Sequence, residues 1–429
     1  GLSAKMVVNG EESLSLARNT NTGKILETIE LELKEYSFYK TNLVKCLLLD
    51  NNKKIRYPTK MEITKCLDNL IYEIEIVKPK TVFLLGKIVY DNVYKYYKDK
   101  TSNSNVIDLG SEKITEEKKD EPKVEEKTVQ IYKGTERPIA VMIDNHKAAL
   151  PQGGLNNAYM VYEIIVEGGE SRLMALFKGQ DLEKIGPVRS SRHYFLDYAL
   201  ENDAIYVHFG WSPQAESDIS SLGVNNINGI SESSTSFWRT KDKYAPHNVA
   251  TSTKKILSIA ERKGYRTTSN KKSVLNYVTD EVNLEDGETA DIVTIPYFSK
   301  SNTVKYTYNK ETKRYQRYSK GVKETDWSTG EDITTKNIII TFVKNTTLND
   351  GENKGRQTIY NTGVKDGYYI TNGKAIKITC EKTSRSAQTV YKDLNGNEIN
   401  VNDGNTYVQI CPIDSNVTIE ADETVESAE

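Results

Sequence analysis

No run of apolar residues in this chain reaches the roughly 18 that a membrane-spanning helix needs. Cysteine is scarce as well. Cys46, Cys66, Cys380 and Cys411 are the whole complement of a 429-residue chain, too few for a disulfide scaffold. An excess of one charge is also missing. The 58 basic and 60 acidic residues leave a formal net charge of -2. That balance excludes a long-range field drawing the whole chain onto nucleic acid or an anionic membrane, so any such binding needs a local patch. Hydrophobic residues make up only 37% of the chain, which fits a β-rich protein with much exposed strand and loop. The 27 Tyr against 8 Phe point the same way, because Tyr suits half-buried pleated surfaces. There is neither an initiator Met nor a signal peptide, and Gly1 is expected to open inside a domain.

The length calls for two to three domains. The first hundred residues alternate helix and strand. Asn21 to Glu35 places Ile25, Leu26, Ile29 and Leu33 at helical spacing, and Phe38 to Cys46 reads as a strand. Thr59 and Glu62 form a capping box for a second helix, with Ile63, Leu67, Leu70, Ile71 and Ile74 on one stripe and Lys78-Pro79 as its stop. Thr81 to Gly86 is a short buried strand. From Lys98 to Glu136 nearly every residue is charged or polar, so no core can offset the ordering entropy, and a flexible tether is expected; a solvated helix is the alternative.

Mixed α/β patterning returns with strands over Arg137 to Asp144, Ala158 to Val166, Ser171 to Lys178 and Ala204 to Phe209. Helices are expected over Ser190 to Leu200 and Thr251 to Lys263. Beyond about Asp291 short strands alternate with turns, Asn372-Gly373 and Asn395-Gly396 among them. The expected fold class is therefore α/β multidomain. It comprises a partial three-layer βαβ segment over 1–98, a charged flexible linker over 99–136 and a mixed α/β domain over 137–285. A C-terminal antiparallel β domain over 286–420 and a disordered tail over 421–429 follow.

The front stretch, through FYKTNLVKC and PTKMEITKCLDNLIYEIEIVKPKTVFLLGK, resembles the uracil-DNA glycosylase superfamily, especially its iron–sulfur branch. The resemblance implies that Asn42 reads a uracil edge and that Cys46 and Cys66 are cluster ligands. A four-iron cluster needs four thiolates, and this stretch supplies two. GLSAK stands where the water-activating loop belongs and carries no carboxylate, and the tether stands where a late His loop belongs. An inactive segment is expected, with Cys46 and Cys66 as small buried hydrophobes, no filled iron–sulfur cluster, no other cofactor and no DNA binding.

From about 131 to 420 the chain resembles the YerB family of lipoproteins, whose biochemical function is unknown. The residues carrying this are RPIAVMIDNHKAALPQGGLNNAYMVYEIIVEGGESRLMALF, IGPVRSSRHYFLDYA, YVHFGWSP, FWRTKDKYAPHN and NGKAIKITC. The resemblance implies an α/β domain and a β domain working outside the cytoplasmic membrane of a Gram-positive-type bacterium, near the wall. The front stretch implies the cytoplasm instead, which makes a gene fusion or a relic a natural reading.

Polar residues of the middle stretch gather at strand ends and loops, where α/β folds place sites. They are Asp144, His146, Glu167, Arg172, Arg189, Arg192, His208, Arg239 and His247. In one reading GPVRSSR opens a helix, and its dipole and two guanidiniums, with Arg172 and Arg239, cradle an anionic envelope polymer or a partner protein. In a second, Asp144, His208 and His247, with His146 and Glu167, form the acid–base or metal site of an envelope hydrolase, although no HExxH or close HxH spacing supports metal. In a third, the charges merely pair with one another to hold loops. Trp211, Phe237 and Trp238 line a groove or belong to the core. Lys147, Lys241 and Lys243 add nearby positive charge. His193 is expected to be a surface or packing residue. Cys380 and Cys411, expected on neighbouring strands, either pair or remain buried thiols.

Overall fold

The computed structural model describes residues 128–298 and 302–422, the stretch 58–79, strands 6–8 and 11–13, and isolated positions between 37 and 96. The chain divides into two compact units, Gly1–Pro122 and Lys123–Glu429.

In the first unit Met6–Val8 pairs antiparallel with Glu11–Ser13. The helix Lys60–Val77 begins as its sequence dictates: Glu62 N donates to Thr59 Oγ1 at 3.3 Å, and Thr59 N donates to Glu62 Oε2 at 2.7 Å. It ends where Lys78 turns left-handed, with Pro79 behind it. Ile63, Leu70 and Ile71 are buried with Val93, and Leu67, Ile74 and Cys66 pack alongside. The expected helix at Asn21 to Glu35, the strand carrying Asn42 and Cys46, most of Thr81–Gly86, the tether up to 127 and the tail from 423 lie outside the described residues. The tether stops short of Glu136, however. Gln130 and Ile131 donate their N–H groups to Asp403 at 2.8 and 2.9 Å, and Tyr132 packs edge-on against Tyr159. Val129, Ile131 and Tyr132 give this last piece enough apolar surface to dock.

The second unit is mixed α/β with few helices, built on a large mixed sheet and a smaller antiparallel one. The large sheet's main path uses β1 (Ile139–Asp144), β2 (Met160–Ile165), β3 (Ser171–Phe177), β4 (Ile205–His208) and β5 (Asn226–Asn228). The later chain adds β6 (Glu288–Thr289), β7 (Asn337–Thr347), β8 (Gly363–Thr371), β9 (Lys374–Lys382) and β10 (Thr406–Pro412). Their spatial order is β6-β9-β8-β7-β10-β2-β3-β1-β4-β5. β10 lies parallel to β7 on one side and to β2 on the other. The last stretch therefore does not close a sheet of its own. Its strands continue the sheet begun at Ile139, because β2 would otherwise leave a fully buried edge without hydrogen bonds.

The two-residue strand period sorts the core into two sides. Val141, Ile143, Val161, Leu173 and Ala175 share one cluster with Val293, Ile295, Val304 and Tyr306 of the smaller sheet, and with Ile256 and Ile259 of the helix Thr253–Arg262. Ala140, Met142, Tyr162, Met174 and Ile410 share the other with Phe195, Leu196 and Ala199 of the helix Phe195–Glu201 and with Ile219 of Pro213–Ser221. Both faces of the central strands are covered, so β1 to β4 are buried along their whole length. Cys380 on β9 and Cys411 on β10 are free thiols on opposite sides of the sheet, with two strands between them, so they do not pair.

Candidate functional site

β1 ends at Asp144, which faces Arg172 on the antiparallel neighbour β3. The GPVRSSR segment does not open a helix. It runs extended past the end of β1: Asp144 N donates to Pro187 O at 2.8 Å, Arg189 N to Met142 O at 2.9 Å and Val188 N to Val249 O at 2.7 Å. The helix starts only at Phe195, without a side-chain cap. Strand-like hydrogen bonds outcompete helix formation here because the segment fills the gap between β1 and Val249–Ala250. The approach is so close that a Cβ on Gly186 would stand 2.7 Å from Val249 O, and its φ of 146° suits glycine alone. The helix-dipole part of the expected anion cradle is thus absent.

The extended segment nonetheless gathers the expected side chains. Asp144 Oδ2 lies 2.7 Å from His247 Nδ1 and 3.3 Å from Arg189 Nε, while Asp144 Oδ1 accepts from His146 N at 3.1 Å. The His146 and His247 rings stack at 4.3 Å between centroids, tilted by 14°. Beside them, Glu167 is gripped by Arg192 through Nε at 2.8 Å and through Nη2, with Arg172 Nη2 at 3.8 Å. Burial would raise the Glu167 carboxyl, but the Arg192 hydrogen bond and charge, with the Arg172 charge, outweigh it and hold it at about 2. Arg172 Nη1 donates to Ser190 O at 2.7 Å, and Arg192 Nη1 to Ser191 O at 2.6 Å. Burial, then the Arg192 charge, pulls the Arg172 guanidinium down to about 10, against the pull of Glu167 and Asp144. Three guanidiniums thus meet two carboxylates at one set of strand ends.

Two expected members stand apart. His208 is fully buried, its Nδ1 2.8 Å from Gly210 O and its Nε2 3.2 Å from Asn226 Oδ1, and it makes no bond to Asp144. Burial, against those two hydrogen bonds, pushes it down to about 4. Arg239 donates to Asn248 at 2.7 Å and lies over the Phe209 ring; among the described residues it pairs with no carboxylate. Phe237 belongs to the core, and Trp211 packs on His208. Lys243 is tied to Leu150 O at 2.7 Å and stacks on Trp327. His193 is half-buried on Thr358, as a packing residue. Two concavities, near 380 and 330 Å³, are lined by Tyr132 and Tyr277 and by Asp203 and Arg266, and none of the residues of this cluster lines either.

Sequence reading missed the layer beneath. Asn145 donates to Glu163 Oε1 at 3.0 Å, and Glu163 Oε2 lies 3.1 Å from Arg317 Nη2. Arg317 Nε in turn lies 2.7 Å from Glu324, and all three charged side chains are buried between the two sheets. The available signal was the alternation in RYQRYS, which puts Arg317 on the inward face with Tyr315 and Ser319. In the front unit Cys46, one of the two expected cluster ligands, lies outside the described residues. Cys66 is half-buried on its helix, and Cys380 and Cys411 are locked in the second unit's core. Among the described residues no group of three or more His, Cys, Asp or Glu is placed to hold a metal ion. Nor is any described helix long and apolar enough to cross a membrane.

Known protein families match both parts of the chain. Residues 125–266 match the model described as "Protein of unknown function (DUF3048) N-terminal domain", and 293–408 match its C-terminal counterpart. Residues 13–144 match the uracil DNA glycosylase superfamily model. The two matches overlap over 125–144, and there β1 lies within the large sheet of the second unit. YerB of Bacillus subtilis (strain 168), described as a candidate lipoprotein, is 33% identical over 270 residues, covering 62% of this chain and 76% of that protein. The crystal structure of Bacillus subtilis YerB superposes with a TM-score of 0.58 at 30% identity, covering 66% of this chain and 94% of the other. The chain therefore belongs to the YerB-like family of unknown function, and it carries ahead of that region a stretch similar to uracil DNA glycosylases.

Proposed function

We propose that this protein acts outside the cytoplasmic membrane as a binding protein for an anionic group, held by Arg189 at the ends of β1 and β3. The observation that carries the reading is the unequal occupation of the three guanidiniums. Arg172 and Arg192 are nearly buried and spent on Glu167 and on backbone carbonyls. Arg189 is 28% exposed; its Nε is buried against Asp144 at 3.3 Å, and its Nη1 and Nη2 make no hydrogen bond among the described residues. A guanidinium with unused donors beside two further cations is suited to phosphate or carboxylate oxygens. The candidate-lipoprotein description of the Bacillus relative supports a location at the outer face of the membrane, where anionic envelope polymers are ligands of this chemistry.

Titration calorimetry of the full chain with inorganic phosphate at low salt tests this. Binding should weaken at least tenfold in Arg189→Ala, as loss of a charge-assisted hydrogen bond implies. It should be unchanged in Lys254→Ala, an exposed lysine on the helix Thr253–Arg262. Equal affinity in wild type and Arg189→Ala would contradict the assignment.

A further inference from the structure

The two stacked histidines are held in opposite tautomers. His247 Nδ1 lies 2.7 Å from the Asp144 carboxylate, which can only accept, so Nδ1 carries the ring proton and Nε2 keeps its lone pair. His146 Nδ1 accepts from Ala148 N at 3.1 Å, so its ring proton sits on Nε2. One imidazole thus offers a base and its neighbour, 4.3 Å away, a hydrogen-bond donor. Neither Nε2 has a hydrogen-bond partner among the described residues, and neither is a buried unpartnered atom, so both reach solvent. Arg189 adds fixed positive charge from the same Asp144 oxygen that holds His247.

We infer that this group cleaves phosphodiesters, with His247 as the general base and with His146 and Arg189 as stabilisers of the charge on the phosphate. The inference rests on the anion reading above and names its ligand class. Arg189 and His247 converge on one carboxylate oxygen, at 3.3 and 2.7 Å, so the anion and the reacting bond must belong to the same small group. A phosphodiester meets that condition because its charge sits on oxygens bonded directly to the phosphorus under attack. In the step, the oxygen of an attacking hydroxyl bonds to phosphorus while its proton passes to His247 Nε2. The bond from phosphorus to the leaving oxygen breaks, and the His247 imidazolium returns the proton to that oxygen. Water as the attacker gives a phosphomonoester and an alcohol; a hydroxyl on the neighbouring carbon gives a cyclic diester and an alcohol. His146 donates from Nε2, since its Nδ1 accepts from a backbone N–H. Asp144 is the positioning residue, orienting His247 and stabilising its cation.

The test uses the full chain with two probes that release nitrophenolate. Bis(4-nitrophenyl) phosphate requires water as the attacker, and 2-hydroxypropyl 4-nitrophenyl phosphate supplies an internal hydroxyl. Turnover of at least one is expected, and the reactive probe identifies the nucleophile. The rate should fall about 100-fold in His247→Asn and in His247→Gln, and about 100-fold in His146→Phe. The variants should keep the far-UV circular dichroism and the thermal-unfolding midpoint of the wild type, which shows that they remain folded. If wild type binds phosphate through Arg189 but turns over neither probe, the inference falls and the binding function stands. Equal rates in wild type and the His247 variants would also overturn it, and absence of both binding and turnover would overturn both readings.

Discussion

A histidine whose two ring nitrogens are both occupied in a dry core is a packing residue, and His208 has become one. Its place in YVHFG at a strand end made it look like a partner of Asp144, but the strand alternation sends it to Tyr206 and Trp211 instead. Asp144, His146, Arg189 and His247 were legible as a set because each ends or follows an extended segment. Their pairing was not, since it depends on where Gly186–Arg189 crosses β1. The tyrosines illustrate the same limit. Tyr162, Tyr194, Tyr206 and Tyr297 are fully buried rather than half-buried, because Glu201, Ile165 O, Ser191 and Gln409 accept from their hydroxyls. The histidines also set the pH response. Burial pushes both His208 and His193 down to about 4, from an ordinary value near 6.5. Between those values the unfolded chain binds protons that the folded chain refuses, so stability is lost as pH falls through the window. Asp197, pushed up to about 6 by burial against Arg385, opposes this with one carboxyl against two imidazoles. His208 alone should cost about 2 kcal/mol at pH 5 relative to pH 7. Urea unfolding should show a lower midpoint at pH 5, and a flatter profile in His208→Gln; equal midpoints would count against the assignment.

Among elements, those defined by local signals were read correctly. The helix Lys60–Val77 has its capping box and Lys-Pro stop within its own sequence, and the β8–β9 hairpin turns on Asn372 and Gly373, both at positive φ. The element that misled is the helix expected from Ser190, where a long-range partner took the first residues into an extended path. Arg317 shows the converse, a charge on an inward strand face that makes sense only once Glu163 arrives from β2 and Glu324 from the next turn. The guanidinium also lies over Tyr407 and Tyr306, at 5.3 and 5.8 Å from the ring centroids. Its removal leaves two carboxylates buried without a cation. Arg317→Ala should therefore destabilise by about 3–5 kcal/mol in denaturant unfolding, more than expected of a partly exposed arginine. A loss below about 1 kcal/mol would show that the carboxylates are compensated elsewhere.

For the whole molecule, the decisive feature is that β10, near the end of the chain, completes the sheet begun by β2. Periodicity located these strands one by one, but no local pattern says that strands some 240 residues apart are parallel neighbours, since sheet order depends on edges that become available only in three dimensions. Ionic contacts reinforce the union: Lys382 on β9 lies 2.7 Å from the buried Glu201, and Arg385 reaches Asp197 and Asp218 at 2.7 Å each. Truncating the chain after residue 400 should expose the edges of β2 and β7 and give an aggregating product in size-exclusion chromatography; a stable monomer would contradict this reading of the sheet. On this frame the loops after β1 and β3 present their charges, and the claim that matters most is that Arg189 is held there for an anion. A crystal structure of the full chain with tungstate, a tetrahedral oxyanion with a strong anomalous signal, tests it directly. An anomalous peak within hydrogen-bonding distance of the Arg189 guanidinium, beside His146 and His247, is the result predicted. A map with no peak there, and Arg189 still resting on Asp144, would contradict it.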